Sequence, residues 1–424
     1  MNRLLLAAAI LIIFFISASC ASTSKIVFPE NMFIPGDFAG IVHAGGTRTQ
    51  KEYDYLNYLG VSWTLHTFHW NSIEPEHGEW DFLLYDDLVD KIGAAGIKIV
   101  GILAYDNWRI HKDKDLHKYI PAQYVPDFLQ YVKKTTEHFK GRVDAWCIWN
   151  EPNFISWNGT DEEFIELARQ TADAVREVDS EVILLGGAFN RGFFGLPEKF
   201  IRKLFESGAM EKVDAVAFHP YELNPVRSAL LFQQFKKIVD DYGFADKIWV
   251  TEAGHPTGGL YPTKVQEKNF PEYVIKTCVL LAYCGSKKIL WYQLFDSIKR
   301  SSSSEDFFGL VRSRRDYTSK GAEAFRLCSK YLSGTNCYVQ EPGRDGFPKQ
   351  ARAFWFKGEG KGALVLWNEG AGSKKINLKL PGFNHVMHDP VSGNEKEIKP
   401  ETTVKAGKVP VFITWQYDLS GENQ

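Results

Sequence analysis

The chain has 424 residues, 44% hydrophobic and 14% aromatic, enough to bury one large core and a second, smaller one. Charged residues make up 24% and the formal net charge is −2, with no basic stripe, which argues against nucleic acid as a main partner. Six cysteines are too few for a disulfide framework, so the core must carry the fold.

The chain opens on Asn2-Arg3, an unbroken apolar run from Leu4 to Ile16, and then the small residues Ser17-Ala18-Ser19-Cys20-Ala21-Ser22. The run is short for a membrane span and has the layout of a secretory signal over residues 1–21. Two fates follow from it. A peptidase cuts after Ala21, or Cys20 becomes the lipid-modified N-terminus of a lipoprotein. The expected location is outside the cytoplasm: secreted, periplasmic, or held at a membrane only through Cys20.

Strand and helix patterns then alternate eight times. The strand-like runs are Phe38–His43, Val61–His66, Ile97–Ala104, Val143–Trp149, Val182–Gly186, Val213–Phe218, Ile248–Thr251 and Ile289–Phe295. Each is short, apolar and β-rich, as expected of a strand covered on both faces. The clearest helix pattern is 161–179, with Phe164, Leu167, Ala168, Thr171, Val175 and Val178 on one face and a capping box at Thr160 and Glu163. Eight such units predict a (β/α)₈ TIM barrel over residues 33–332. A doubly wound open sheet ranks below it, because no Gly-x-Gly-x-x-Gly turn follows the first strand.

After Gly334 the pattern changes to short runs split by Gly, Pro and Asn: Ala351–Phe356, Ala363–Trp367, Lys374–Leu380, Asn384–His388 and Val409–Trp415. They predict a small antiparallel β-sandwich over residues 335–418. Cys328 and Cys337 flank the junction. Export makes a disulfide between them feasible, and two separate buried thiols are the alternative.

The chemistry lies at strand ends. Asn150-Glu151-Pro152 closes the fourth barrel strand and Thr251-Glu252-Ala253-Gly254 the seventh, so both carboxylates belong on the C-terminal rim where barrel enzymes build their sites. Two carboxylates on one cleft are what glycosidic-bond cleavage needs, one protonated as acid and one ionised to meet an oxocarbenium ion. His43, His69, Trp70, Tyr105 and Trp108 fall at strand ends on the same face and are candidate subsite residues. No Cys/His spacing resembles a metal site, and neither metal nor organic cofactor is implied.

With these residues placed, the chain resembles the clan-A (β/α)₈ retaining glycoside hydrolases, closest to family 39-like members of the xylosidase and exopolysaccharide-hydrolase type. The matching words are Trp70-Asn71-Ser72-Ile73-Glu74-Pro75, Gly78-Glu79-Trp80-Asp81-Phe82, Trp149-Asn150-Glu151-Pro152, Phe218-His219-Pro220-Tyr221, Thr251-Glu252-Ala253-Gly254 and Trp291. The resemblance implies a β-linked glycan as substrate, Glu151 as acid/base and Glu252 as nucleophile. It also implies Asn150 on the sugar 2-hydroxyl, Tyr221 on the nucleophile, His219 on the substrate, and Trp291 beneath the sugar with a cis bond to Tyr292. Where many clan members carry an Arg on strand two, the register here puts Leu65, with His66 and Arg48 nearby. Glu151 is expected to have a raised pKa because Glu252 disfavours a second charge. A transglycosylase using the same residues and a non-catalytic carbohydrate-binding barrel are the alternatives.

Overall fold

The computed structural model describes residues 26–27, 29–42, 49–112, 118–192, 195–260, 264–297, 303–312, 317–340, 342–343 and 347–418. His43, Arg48 and the whole leader, including Cys20, lie outside them. Among the described residues no helix is long and apolar enough to cross a membrane.

A short strand, β1 (Met32–Ile34), precedes eight parallel strands that close into a barrel: β2 (Ala39–Val42), β3 (Trp63–His69), β4 (Lys98–Ala104), β5 (Ala145–Ile148), β6 (Ile183–Asn190), β7 (Ala215–His219), β8 (Ile248–Ala253) and β9 (Lys288–Tyr292). The apolar runs give these strands because residues on both faces are covered, by the barrel interior and by the helix layer; β2, β5 and β7 are buried throughout. The helix Asp161–Val178 shows how the outer layer docks. Thr160 and Glu163 close a capping box at its start, and Phe164, Leu167, Ala168 and Val175 are among its buried residues.

The N-terminal end of the barrel is a charged floor that sets the strand register. The Trp63 indole donates to Asp37 at 3.1 Å and meets Trp249 edge-on, 5.0 Å between centroids. Burial opposes ionisation of Asp37, yet Lys288 and Lys98 hold its carboxyl at about 2. With stability assigned to this end, the opposite rim is left for chemistry.

The C-terminal domain is a seven-stranded antiparallel sheet backed by a two-stranded ribbon, Lys374–Lys379 with Glu401–Ala406. The sheet's inner face contributes Phe354, Phe356, Val365, Trp367 and Phe412 to the same apolar cluster as the barrel, while its outer face and the ribbon enclose a second one. One boundary needs correcting. Phe33 and Ile34 were expected in the barrel, but β1 pairs with Thr335–Gln340 and completes the C-terminal sheet. The first strand in sequence therefore seals an edge of the last domain. The bridge between Cys328 and Cys337 is absent: both thiols are free and buried, and Cys328 lies against Cys278 instead.

Candidate active site

The C-terminal rim collects the two glutamates as the strand ends dictate. Glu151 follows β5 and Glu252 sits within β8 at an irregularity in its pairing with β9. Trp149 and Glu151 both adopt left-handed backbone, with φ of 62° and 48°. Such conformations are costly for residues with a Cβ and gather at functional sites. The Glu151 amide donates to Ala188 O at 3.1 Å, tying the loop after β5 to the neighbouring strand.

Glu151, His219 and Glu252 bring one polar atom each to within 4.8 Å of one another. His219 Nδ1 stands 2.8 Å from Glu151 Oε1 and 3.8 Å from Glu252 Oε2, while its Nε2 pairs with Thr251 Oγ1 at 2.9 Å. Tyr221 donates its phenolic hydrogen to Glu252 Oε2 at 2.9 Å. A second donor reaches Glu151: Asn190 Nδ2, 2.7 Å from Oε1.

These contacts set the charges. Burial raises Glu252, and Glu151 nearby adds to the rise; although His219 and Tyr221 oppose it, the carboxyl is pushed up to about 7. Burial acts on Glu151 in the same sense, but the His219 and Asn190 hydrogen bonds and Lys118 nearby win, and its pKa falls below the ordinary carboxylate value. Burial would lower His219, yet Glu252 and Glu151 hold its pKa above the usual imidazole value. The expected order is thus reversed in the free site. The reason is geometric: Asn190 and His219 both approach Glu151 Oε1, whereas Tyr221 alone donates to Glu252. The two carboxyls titrate as a pair sharing one proton through weakly acidic pH.

A stability prediction follows. In the unfolded chain Glu252 loses its proton near 4.5; in the fold it keeps it to about 7. The folded state binds the extra proton across that window, so this group costs stability as pH rises through it, about 3 kcal/mol above pH 7. Glu252→Gln is therefore expected to raise Tm at pH 8 and leave it near wild type at pH 4. An equal shift at both pH values would contradict the burial argument.

The remaining expected site residues divide. Asn150 has a buried Oδ1 with no hydrogen-bond partner among the described residues. Tyr105 is half-buried, edge-on to Trp149 at 5.2 Å, and its ring centroid is 6.0 Å from that of exposed His69. Trp108 is exposed on the short helix Trp108–His111 after β4.

Three expectations fail. His219 is 0% exposed, paired with Glu151 at 2.8 Å and facing Glu252 at 3.8 Å, so it is not a substrate contact. Trp70 is likewise 0% exposed; it donates to the buried Glu74 carboxylate at 2.7 Å and stacks on Tyr131, which makes it a loop anchor. Trp291 points away from the cleft, packed against Phe270 and Phe325 of the outer helices. A one-residue slip in a strand moves a side chain to the opposite face. The cleft therefore receives Tyr292, whose ring lies 6.2 Å from Tyr221, and the cis bond is Tyr292–Gln293.

Sequence reasoning missed Asn190, Tyr292 and Glu305. The Tyr292 hydroxyl donates to Glu305 at 3.2 Å, on the loop after β9. That loop is braced by Asp296, which accepts from Arg312 and from the Gly309 amide, each at 2.9 Å. Gly186-Gly187 inside a strand pattern was the available signal for Asn190, since paired glycines there mark a bulge.

Comparison with known proteins places the architecture. The glycoside hydrolase 42 β-galactosidase family matches residues 43–107. No curated protein matches the sequence. Among solved structures, a family 39 glycoside hydrolase from Bacteroides cellulosilyticus WH2 superposes with a TM-score of 0.73 at 18% identity, covering 90% of this chain and 81% of that one. A monomeric β-xylosidase from Caulobacter crescentus CB15 gives 0.64 at 13% identity, with coverages of 93% and 98%. A family 30 subfamily 8 xylanase from Clostridium acetobutylicum gives 0.60 at 12% identity, with 90% and 96%. These likenesses establish a shared fold, a closed parallel barrel carrying a β-sandwich domain.

Proposed function

We propose that this chain is an exported retaining β-glycoside hydrolase that cleaves O-glycosidic bonds of an oligo- or polysaccharide by double displacement. The observation that carries the reading is the carboxylate pair: two glutamates on the C-terminal rim with oxygens within 4.8 Å of each other. Retaining pairs stand about 5–5.5 Å apart, whereas inverting pairs need about 6.5–9.5 Å to admit a water. Glu151 protonates the leaving oxygen while Glu252 attacks the anomeric carbon, and the deprotonated Glu151 then activates water against the glycosyl-enzyme. Turnover requires the pair's shared proton to be on Glu151 when Glu252 attacks.

The β-configuration and the glycan substrate rest on the resemblance to clan-A enzymes, and one of the structural neighbours is named a β-xylosidase. The leader over residues 1–21 supports export, with Cys20 as the site for a lipid anchor. A non-catalytic carbohydrate-binding barrel would have no use for two carboxyls buried side by side, one of them raised by burial.

Incubating the purified protein with aryl β-glycosides and β-linked polysaccharides tests the reading: released aryl alcohol or reducing ends are expected, and silence across the panel would count against it. The same assay separates the aromatic residues. Tyr292→Ala is expected to raise KM several-fold with little loss of Tm, whereas Trp291→Ala should lower Tm through a core cavity costing about 3–5 kcal/mol.

A further inference from the structure

Strand β6 does not end where its glycines suggest. Between Gly186 and Phe189 its pairing with β7 shifts register, with Gly187 at φ 92° and Ala188 at φ 40°. This is a bulge in the left-handed region, and bulges beside active sites re-aim the next side chains. The bulged Ala188 carbonyl takes the Glu151 amide hydrogen, and two residues on Asn190 turns its amide toward the Glu151 carboxylate.

The Asn190 amide cannot flip. Its Oδ1 accepts from the Gly192 amide at 3.2 Å, so Nδ2 is the end facing Glu151. Asn153 clamps the backbone around it, donating to Asn190 O at 2.6 Å and accepting the Asn190 amide hydrogen at 3.0 Å. Asn190 is 8% exposed, so water does not compete for its donor.

Asn190 Nδ2 and His219 Nδ1 both approach the same Glu151 oxygen, Oε1, at 2.7 and 2.8 Å. Among the described residues no protein hydrogen bond reaches Oε2. An amide hydrogen is a permanent donor and cannot accept. A proton on Oε1 would turn that oxygen into a weak acceptor for the Asn190 donor already in place, so the cheaper site for the proton is Oε2. We infer that Asn190 is a positioning residue that fixes Oε1 as a receiver of hydrogen bonds and so confines the transferable proton of Glu151 to Oε2.

The inference rests on the acid/base role proposed above for Glu151. Other groups bear on the same carboxylate: His219 from β7, Glu252 from β8, Lys118 from the loop after β4, and Tyr105, Tyr221, Tyr292 and Glu305 around the cleft. None of these supplies a donor that stays uncharged and unable to accept across the whole pH range, which is what Asn190 adds.

The test compares kcat/KM against pH for wild type, Asn190→Asp, Asn190→Ala and Glu151→Gln. Each is assayed on a phenyl β-glycoside, which needs protonation, and a dinitrophenyl β-glycoside, which does not. For both Asn190 variants the loss on the phenyl substrate is expected to exceed that on the dinitrophenyl substrate by about tenfold or more. In Asn190→Asp the alkaline limb should move up by about one pH unit, because a donor has become an anion beside Glu151. The alanine variant keeps the test decisive should the aspartate destabilise the fold. Equal losses on both substrates with an unmoved pH profile would overturn the inference and leave Asn190 as packing. If Glu151→Gln itself shows no preference for the acidic leaving group, the acid/base reading fails instead.

Discussion

Glu252→Ala is expected to abolish turnover on every β-glycoside tried, a loss on the order of 10⁶-fold, the scale seen when an activated nucleophile is removed. The carboxylate is held by Tyr221 at 2.9 Å and faced by His219 at 3.8 Å. No other described carboxylate shares that position. Without it no covalent glycosyl-enzyme forms, and an acidic leaving group does not help, because the first step has lost its nucleophile and not its proton. Assays with phenyl and dinitrophenyl glycosides should therefore fall together. Measurable dinitrophenyl release from the alanine variant, at more than about one part in 10⁴ of wild type, would place the nucleophile elsewhere.

Glu151→Ala should behave differently. Removing the acid costs about 10²–10⁴-fold on substrates whose leaving group must be protonated, since that is what general acid catalysis contributes. On a dinitrophenyl glycoside the first step survives, and the slow step becomes hydrolysis of the intermediate, which has lost its base. A burst of dinitrophenol near one equivalent per enzyme followed by slow release is expected in stopped-flow traces. Steady release without a burst, together with an equal loss on both substrates, would remove Glu151 from the acid/base role. The alanine also frees Asn190 and His219, which now lack their common acceptor on Oε1, so some loss of stability should accompany the kinetic change.

The positions of both glutamates were legible in the sequence because they depend on two robust signals: apolar β-rich runs and their order around a barrel. Asn150-Glu151 and Thr251-Glu252 each follow such a run, and strand order alone sends both to one rim. Side-chain direction was less legible. Trp291 and Tyr292 are neighbours, and which one faces the cleft depends on a register that one residue reverses. Trp70 carries a motif word common to these barrels, yet its indole serves Glu74, a partner four residues on that no strand pattern reveals.

The electrostatics were the least legible. Like-charge repulsion predicts a raised Glu151, but the raised carboxyl is Glu252, chiefly through burial with repulsion adding to it; which one rises depends on where the hydrogen-bond partners lie. The donor Asn190 was hidden behind Gly186-Gly187, read as the end of a strand when it is a bulge inside one. β1 illustrates the same limit at the scale of domains. Three residues before the barrel pair with Thr335–Cys337, about 300 residues away, and local pattern carries no information on such a partner.

The roles of the two glutamates are best separated by the products of azide rescue. Glu151→Ala keeps its nucleophile and forms the glycosyl-enzyme, so azide attacks from the face opposite Glu252 and should give the β-glycosyl azide. Glu252→Ala has a vacancy on the lower face, so azide attacks the substrate directly and should give the α-glycosyl azide. Proton NMR of the anomeric coupling in the two products decides the matter. A β-azide from Glu151→Ala and an α-azide from Glu252→Ala is the predicted result. The reverse pairing would exchange the two roles, and azides of the same configuration from both variants would contradict the double-displacement account.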